Sequence, residues 1–254
     1  MNKQGLRFVF FGSSRFSTFV LDELKQAGYS PVLNITSARE DLPVEKLREL
    51  GADLFIVASF GKILPRELIE MPKYGSLNVH PSLLPKLRGP APIQATIRGL
   101  DEPAITIIKM DEKMDHGPIV AQEKVSIEPW PDHYEVVEEK FSRAGGELLV
   151  SVLSNLECLR EAKPQDDSKA TYTKLVKKED GLLDLGDQAT VNLRKVLAYS
   201  TWPGAHLFFT TKHGKRMRVV ILDAKVEDGQ FLPTRVIPEG RKEMDWKSFL
   251  RGNA

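Results

Sequence analysis

The stretch Gly75–Ile93, GSLNVHPSLLPKLRGPAPI, constrains the fold more than any other part of the sequence. Its first residues alternate between apolar and polar, which predicts the end of a buried strand with Asn78 and His80 on the polar side. Prolines then interrupt regular structure, and Pro90 suits the first turn of a helix. In open α/β sheets, ligands bind just beyond the carboxyl ends of the strands. The stretch therefore predicts a ligand site at the edge of such a sheet.

Asn78 and His80 are two residues apart, so their side chains point to the same side of the strand. Asparagine supplies a neutral amide donor, and histidine supplies an imidazole that titrates near neutral pH. Such a pair can hold a carbonyl oxygen as it becomes an oxyanion, or it can simply bind the backbone of a loop.

Asp115 is a third candidate, in a polar loop 35 residues after His80. If the strands before these two residues are neighbours, the carboxylate can reach the imidazole, orient it and stabilise its charged form. A single aspartate in a loop is also a common turn residue, so this loop alone leaves both interpretations open.

Strands and helices alternate around these residues, which predicts an α/β fold with a mostly parallel sheet and a mixed edge. The turn after the first strand lacks the three glycines typical of dinucleotide binding. The predicted strands are Leu6–Phe11, Pro31–Ile35, Asp53–Ala58, Ser76–Val79, Ala104–Met110 and the antiparallel Ile119–Ile127, and the main helices are Phe16–Ala27, Leu42–Leu50 and Asp132–Leu156.

The polar run Lys163–Lys169, KPQDDSK, separates this pattern from a different one. We predict a first domain over residues 1–165, a linker over 166–170 and a second domain over 171–254. Three short strands and a single helix predict a small β-barrel in the second domain. These elements are Ala205–Thr210, Arg216–Ala224, Leu232–Ile237 and the helix Thr190–Ala198.

Charge is distributed unevenly, although the net charge is only +1. Residues 171–254 hold 15 Lys and Arg against 10 Asp and Glu, whereas residues 1–170 hold 21 against 25. This excess predicts a polyanionic partner such as nucleic acid for the second domain, with a solvated surface as the alternative. Cys158 is the only cysteine, and neither a signal sequence nor a long apolar run is present, so we expect a cytoplasmic protein without a membrane segment.

Three motifs occur in order along the first domain: Asn78–Pro85 (NVHPSLLP), Arg88–Gln94 (RGPAPIQ) and Met114–Gly117 (MDHG). With them the chain resembles the folate-dependent formyltransferases, and most of all the members that act on methionyl-tRNA. Motifs of the second half agree, namely Ala170–Tyr172, Lys178–Gly181, Trp202–Ala205, Pro238–Lys242 and Phe249–Gly252.

The resemblance implies a Rossmann-like sheet with helices on both faces, followed by a barrel of the oligonucleotide-binding (OB) kind. It implies 10-formyltetrahydrofolate as formyl donor, initiator methionyl-tRNA as acceptor, no metal and a monomer. It matches Asn78, His80 and Asp115 to the catalytic residues, the first two stabilising the oxyanion and Asp115 assisting proton removal. By the same resemblance we expect folate contacts from Phe60, Gly61, Ile63, Leu64, Ser82, Leu83, Leu84 and Pro85, and tRNA contacts from Arg15, Arg88, Lys178, Arg216 and Arg218.

One segment departs from the family. Only Thr36–Ala52 separates the second and third predicted strands, where the family usually has a longer segment with a basic loop that reaches the tRNA acceptor stem. The acceptor therefore stays open between methionyl-tRNA and an amino-sugar nucleotide. Release of formate by hydrolysis and a non-catalytic folate- or tRNA-binding module are further alternatives. The complete set Asn78, His80 and Asp115 argues against the non-catalytic module, and the basic second domain favours RNA.

Overall fold

The computed structural model describes residues 5–253, which form two compact units. The first unit holds the chain up to Pro92 together with Asp101–Ser126 and Glu138–Thr173. The second unit holds Ile93–Leu100, Ile127–Val137 and the chain from Lys174 onward. The predicted domain limits at residues 165 and 171 stay a prediction.

A six-stranded sheet in the order β2-β1-β3-β4-β5-β6 forms the centre of the first unit. The neighbours from β2 to β4 are parallel, whereas β5 is antiparallel to both β4 and β6. The predicted mixed sheet with an antiparallel return strand is thereby confirmed. The strands are β1 Phe8–Phe11, β2 Leu33–Ile35, β3 Leu54–Val57, β4 Ser76–His80, β5 Ala104–Lys109 and β6 Ile119–Lys124.

Helices cover this sheet because its central strands are apolar on both sides. All four residues of β1 and of β3 are buried, as expected for parallel strands inside a layered fold. Gly145 lies where a Cβ atom would come within 2.7 Å of Val79, so the helix that contains it approaches β4 closely. The helices of the first unit are α1 Arg15–Gln26, α2 Val44–Leu50, α3 Arg66–Ile69 and most of α5 Tyr134–Ser154, whereas α4 Pro92–Ile97 belongs almost wholly to the second unit. Within residues 5–253, no helix combines the length and the apolar character that crossing a bilayer requires.

The second unit contains an antiparallel sheet in the order β10-β9-β8-β7. Its core side chains include Val196, Val219, Val236 and Phe249. The elements are α6 Ala189–Ala198, β7 His206–Thr210, β8 Arg216–Glu227, β9 Gln230–Pro238, β10 Met244–Asp245 and α7 Trp246–Asn253.

The described residues of this sheet do not show the closed barrel that we expected. Its edge strand β10 has two residues and leads directly into α7. Phe249 of α7 then fills the core beside the sheet. A strand this short offers few backbone groups for pairing, and the described sheet accordingly ends at β10 without pairing to β7.

Candidate active site

Asn78, His80 and Asp115 meet at the carboxyl end of β4. The Asn78 amide donates a hydrogen bond to Asp115 Oδ1 over 3.3 Å, and His80 Nδ1 lies 3.5 Å from the same oxygen. Both side chains belong to β4, while Asp115 belongs to the loop between β5 and β6. The meeting depends on β5 pairing directly with β4, as expected if the two strands are neighbours.

The hydrogen-bonding roles of the two ring nitrogens of His80 follow from their neighbours. Its Nε2 lies 3.1 Å from the carbonyl oxygen of Leu87, which can only accept, so Nε2 holds a hydrogen. Nδ1 therefore accepts in the neutral ring and donates in the charged ring. The ring is only 4% exposed, and Asp115 faces its Nδ1.

Asp115 is held through both its side chain and its main chain. Its φ of +51° lies in the left-handed region, which is uncommon for a residue with a Cβ, although aspartate adopts it more readily than most. The Gly89 N–H donates to Asp115 Oδ2 over 2.8 Å. The Gln165 amide donates to the carbonyl oxygens of Asp115 and Gly117, each over 2.8 Å.

Arg88 lies inside the first unit and is 1% exposed. Its guanidinium donates to Gln165 Oε1, Asp167 Oδ1 and the Tyr172 hydroxyl over distances of 2.8–3.2 Å. Burial lowers the pKa of Arg88, but the hydrogen bonds to Asp167 and Tyr172 outweigh burial and leave the pKa raised. A guanidinium at this depth does not face an outside phosphate, so the geometry does not support the expected tRNA contact at Arg88.

The segment Thr171–Thr173 fixes the backbone on both sides of Arg88. The Arg88 N–H donates to the Thr171 carbonyl over 2.9 Å, and the Thr173 N–H donates to the Arg88 carbonyl over 2.7 Å. The Thr171 hydroxyl oxygen accepts from Leu87 N–H, and the Thr173 hydroxyl oxygen accepts from Ala91 N–H. The turn that leads from β4 into α4 therefore depends on residues more than 80 positions later.

The expected folate residues Ser82–Pro85 begin two residues after His80, and polar side chains of β5 and β6 fix their backbone. The Thr106 hydroxyl donates to the Ser82 carbonyl over 2.6 Å, and the Gln122 amide donates to the Leu84 carbonyl over 2.9 Å. Ser82 and Leu84 are buried, while Leu83 and Pro85 are half-buried.

The other expected folate segment, residues 60–64, divides into anchors and an exposed part. Phe60 and Leu64 are buried in the cluster that contains Phe11. Ile63 is 78% exposed, and Gly61 is exposed with φ of +74°. Among the apolar side chains of residues 60–64, Ile63 alone therefore presents a large surface to a ligand.

The expected tRNA residues of the second unit include a pair on one side of its sheet. Arg216 and Arg218 alternate along β8 and share a face. Phe208 pairs in register with Arg218, is 45% exposed, and has the Arg216 guanidinium 4.1 Å from its ring centre. Lys178 is exposed at the start of the short 3-10 turn Lys178–Gly181.

Arg15 starts α1 in the first unit, where it pairs with Glu138 and Glu139 over 3.3 and 3.0 Å. It is therefore already engaged with carboxylates of α5. In the described part of the chain, no group of three or more His, Cys, Asp or Glu residues is arranged to hold a metal ion.

Sequence reasoning missed two residues, Gln165 and Phe208. Gln165 lies in a polar run without periodicity, and nothing local marks it as a contact of Asp115. Phe208 adjoins Phe209 in an apolar strand, and alternation alone does not say which of the two faces outward. The β7–β8 register decides it, because Phe208 pairs opposite Arg218.

Comparison with known protein families shows a match to the formyl transferase family over residues 7–153. A methionyl-tRNA formyltransferase of Chloroflexus aggregans is 35% identical over 266 aligned positions, which cover 91% of this chain and 85% of that protein. A methionyl-tRNA formyltransferase of Lachnospira eligens is 36% identical, with 92% and 82% covered.

Solved structures agree on the fold. Methionyl-tRNA formyltransferase from Clostridium thermocellum superposes with a TM-score of 0.69 at 16% identity, covering 94% of this chain and 99% of that one. HypX from Aquifex aeolicus in complex with tetrahydrofolic acid gives 0.70 at 20% identity, covering 95% of this chain and 46% of that one. A sugar N-formyltransferase from a Shewanella species gives 0.62 at 20% identity, covering 83% and 95%.

Proposed function

The chain belongs to the formyl transferase family, and from this premise we propose that it transfers a formyl group from 10-formyltetrahydrofolate to the amino group of initiator methionyl-tRNA. Its similarity to methionyl-tRNA formyltransferases extends over most of their length. The observation that supports the chemistry is the meeting of Asn78, His80 and Asp115 at the carboxyl end of β4. The product is the formylated initiator tRNA used to start translation.

Asn78 and His80 stabilise the negative charge that develops on the formyl oxygen. An amide nitrogen has two hydrogens, so Asn78 can donate one to Asp115 and the other to the formyl oxygen. His80 can offer only Nδ1 to the formyl oxygen, and it donates there when that nitrogen carries a hydrogen, because its Nε2 hydrogen binds the Leu87 carbonyl. Both donors are fixed before the substrate arrives, which is what makes such stabilisation effective.

Asp115 accepts a proton from the attacking amine, directly or through a water molecule. The Gly89 N–H binds Asp115 Oδ2, so Oδ1 is the oxygen that faces His80 and the reacting atoms. The amine nitrogen adds to the formyl carbon and gives a tetrahedral intermediate with a negatively charged oxygen. When this intermediate collapses, the bond from the carbon to the folate nitrogen breaks, and that nitrogen takes up the proton that Asp115 removed from the amine, directly or through water.

In this proposal the folate site has two sides. One side is formed by Ser82, Leu83, Leu84 and Pro85, and the other by Phe60, Gly61, Ile63 and Leu64. The firmly hydrogen-bonded backbone of Ser82–Pro85 supports the first assignment. The exposed Ile63 between buried anchors supports the second. The structural neighbour that binds tetrahydrofolic acid makes folate a reasonable ligand for this fold.

Lys178, Arg216 and Arg218 contact the tRNA phosphate backbone in this proposal, and Phe208 joins them as an aromatic surface for a base or ribose. The basic excess of residues 171–254 supports this assignment. Arg15 stays a proposed contact of the first unit. We also propose that the second unit acts as an OB-like module in a cytoplasmic monomer, and the 12-residue strand β8 with its register shifts resembles the bent strands of barrels.

The acceptor is tested by offering charged initiator tRNA and an amino-sugar nucleotide separately, each with 10-formyltetrahydrofolate, and by following formyl transfer. We expect formylated methionyl-tRNA and an unmodified sugar. Formylation of the sugar alone would replace this proposal with the sugar-nucleotide activity. Formate release with neither acceptor modified would indicate the hydrolase. The variant His80→Ala serves as the inactive control.

A salt series tests the tRNA surface. The triple variant Lys178→Glu, Arg216→Glu and Arg218→Glu should bind tRNA more weakly and lose about 0.7–0.9 units of the log–log salt slope for each phosphate contact removed. A matched control reverses three positive charges on exposed residues of the first unit, with the substitutions Lys46→Glu, Lys140→Glu and Arg160→Glu. This control should keep the wild-type salt slope. Equal slopes in all three proteins would contradict the assignment.

A further inference from the structure

Gln165 uses all of its hydrogen-bonding capacity around Asp115. Its Nε2 donates to the carbonyl oxygens of Asp115 and Gly117, and its Oε1 accepts from Nε and Nη2 of Arg88. A flipped amide would place its oxygen against two carbonyl oxygens and its NH2 group against a guanidinium. The surroundings therefore allow only one orientation of this side chain.

Asp115 adopts the left-handed conformation, which is uncommon for a residue with a Cβ, and its main chain is hydrogen-bonded to Gln165 there. Hydrogen bonds from Asn78 and Gly89 hold the carboxylate itself, but they do not fix the peptide group that follows it. Gln165 binds that peptide group and the one of Gly117, so it spans the turn that contains Asp115.

Arg88 in turn fixes Gln165. Its guanidinium is buried and paired with Asp167, and it donates two hydrogen bonds to the Gln165 side-chain oxygen. The residue next to it, Gly89, binds the Asp115 carboxylate. The same short segment therefore reaches Asp115 twice, once directly and once through Gln165.

We propose that Gln165 is a positioning residue for Asp115, and that Arg88 acts by holding Gln165. This inference rests on the proposed function, because it concerns the carboxylate that accepts the proton. Neither residue touches the reacting atoms. Misplacement of a reacting group by about 1 Å is enough to cost about 100-fold in rate.

Gln165→Glu is the sharpest test, because it keeps the shape and the acceptor for Arg88 but removes the two donors. We expect kcat to fall by about 10- to 100-fold, with KM for 10-formyltetrahydrofolate within about 2-fold of wild type. Gln165→Ala should give a similar loss. The control Gln230→Glu makes the same chemical change on exposed β9 and should keep the wild-type kcat.

A double-mutant cycle separates positioning from general weakening of the fold. If Gln165 acts through Asp115, adding Gln165→Glu to Asp115→Asn should lower kcat by less than about 2-fold. A further drop as large as in the wild-type background would overturn the proposal. So would a wild-type kcat in both Gln165 variants, with folding of each checked by circular dichroism.

A second readout does not depend on activity. The imidazole nitrogen resonances of His80 should change in Gln165→Glu, since the carboxylate facing Nδ1 moves, and should stay unchanged in Gln230→Glu. Unchanged resonances together with unchanged turnover would refute the positioning role. A wild-type protein that formylates neither tRNA nor sugar, but whose His80 resonances respond to Gln165→Glu, would refute the proposed function and leave the positioning role supported.

Discussion

Replacement of Gly117 by alanine would place a methyl group inside the hairpin that supports Asp115. A Cβ atom at this position would lie 1.8 Å from the Lys109 carbonyl oxygen and 2.9 Å from its carbon. Lys109 is the last residue of β5, and its N–H is bonded to the Pro118 carbonyl. Because the obstacle is backbone, the turn itself must move by more than about 1 Å to restore an ordinary contact.

The size of the effect follows from what is attached to this turn. The Gly117 carbonyl accepts from Gln165, and Asp115 lies two residues before it. A shift of about 1 Å at reacting groups costs about 100-fold in rate. Overpacking of this kind typically lowers the free energy of unfolding by about 1–3 kcal/mol. We therefore expect Gly117→Ala to fold, to lose about 1–3 kcal/mol and to turn over about 100-fold more slowly.

Single-turnover formylation of charged tRNA measures the rate, and denaturant unfolding measures the stability. The matched control is Gly252→Ala, in α7, where a Cβ atom would meet nothing within 4 Å. This control should have the wild-type rate and equal or slightly higher stability, because alanine favours a helix over glycine. Wild-type turnover and stability in Gly117→Ala would refute the argument that the hairpin has no room.

Three further predictions test other parts of the molecule. His80→Ala and Asp115→Asn should each lower kcat by at least about 100-fold without weakening tRNA binding, and near wild-type turnover in both would contradict their assigned roles. Phe208→Ala should weaken tRNA binding by about 1–3 kcal/mol while Phe208→Trp retains it, and equal affinities of all three proteins would exclude stacking. Burial, with a smaller contribution from Glu161, raises the pKa of the Cys158 thiol, so less thiolate is present at neutral pH. Its reaction with a disulfide reagent should be slower than that of a free cysteine and should accelerate as pH rises, and a rate equal to the free thiol's at neutral pH would contradict this.

The fold and the meeting of the three catalytic candidates could be predicted because both depend on short-range patterns. Alternation put Asn78 and His80 on one side of β4, and apolar runs of the right length marked the strands on either side. The strand β5 is antiparallel to β4 and ends opposite Leu77, so the loop after β5 is what returns Asp115 to Asn78 and His80. The sheet of the second unit was predicted less well. A barrel closes only if its edge strands pair with each other, and the periodicity of the sequence does not show whether they do.

The environment of Arg88 could not be predicted from its neighbours. Arg88-Gly89-Pro90 looks like an exposed turn, and arginine is rarely buried unless it is paired. Its partners Gln165 and Asp167 lie 77 and 79 positions further along the chain. Contacts between single side chains at such separations follow from the finished packing and leave no local pattern in the sequence.

The pairing of Thr171–Thr173 with the backbone around Arg88 limits where this chain can be recombined with a relative. A junction within the polar run 163–169 would transfer these three residues to the incoming segment, although their partners stay behind. Gly89 adds to the constraint, since a Cβ atom there would lie 2.8 Å from the Thr173 carbonyl oxygen. Chimeras that exchange the C-terminal segment should therefore be joined after Thr173, where the hydrogen bonds that shape the turn before α4 stay within one parent.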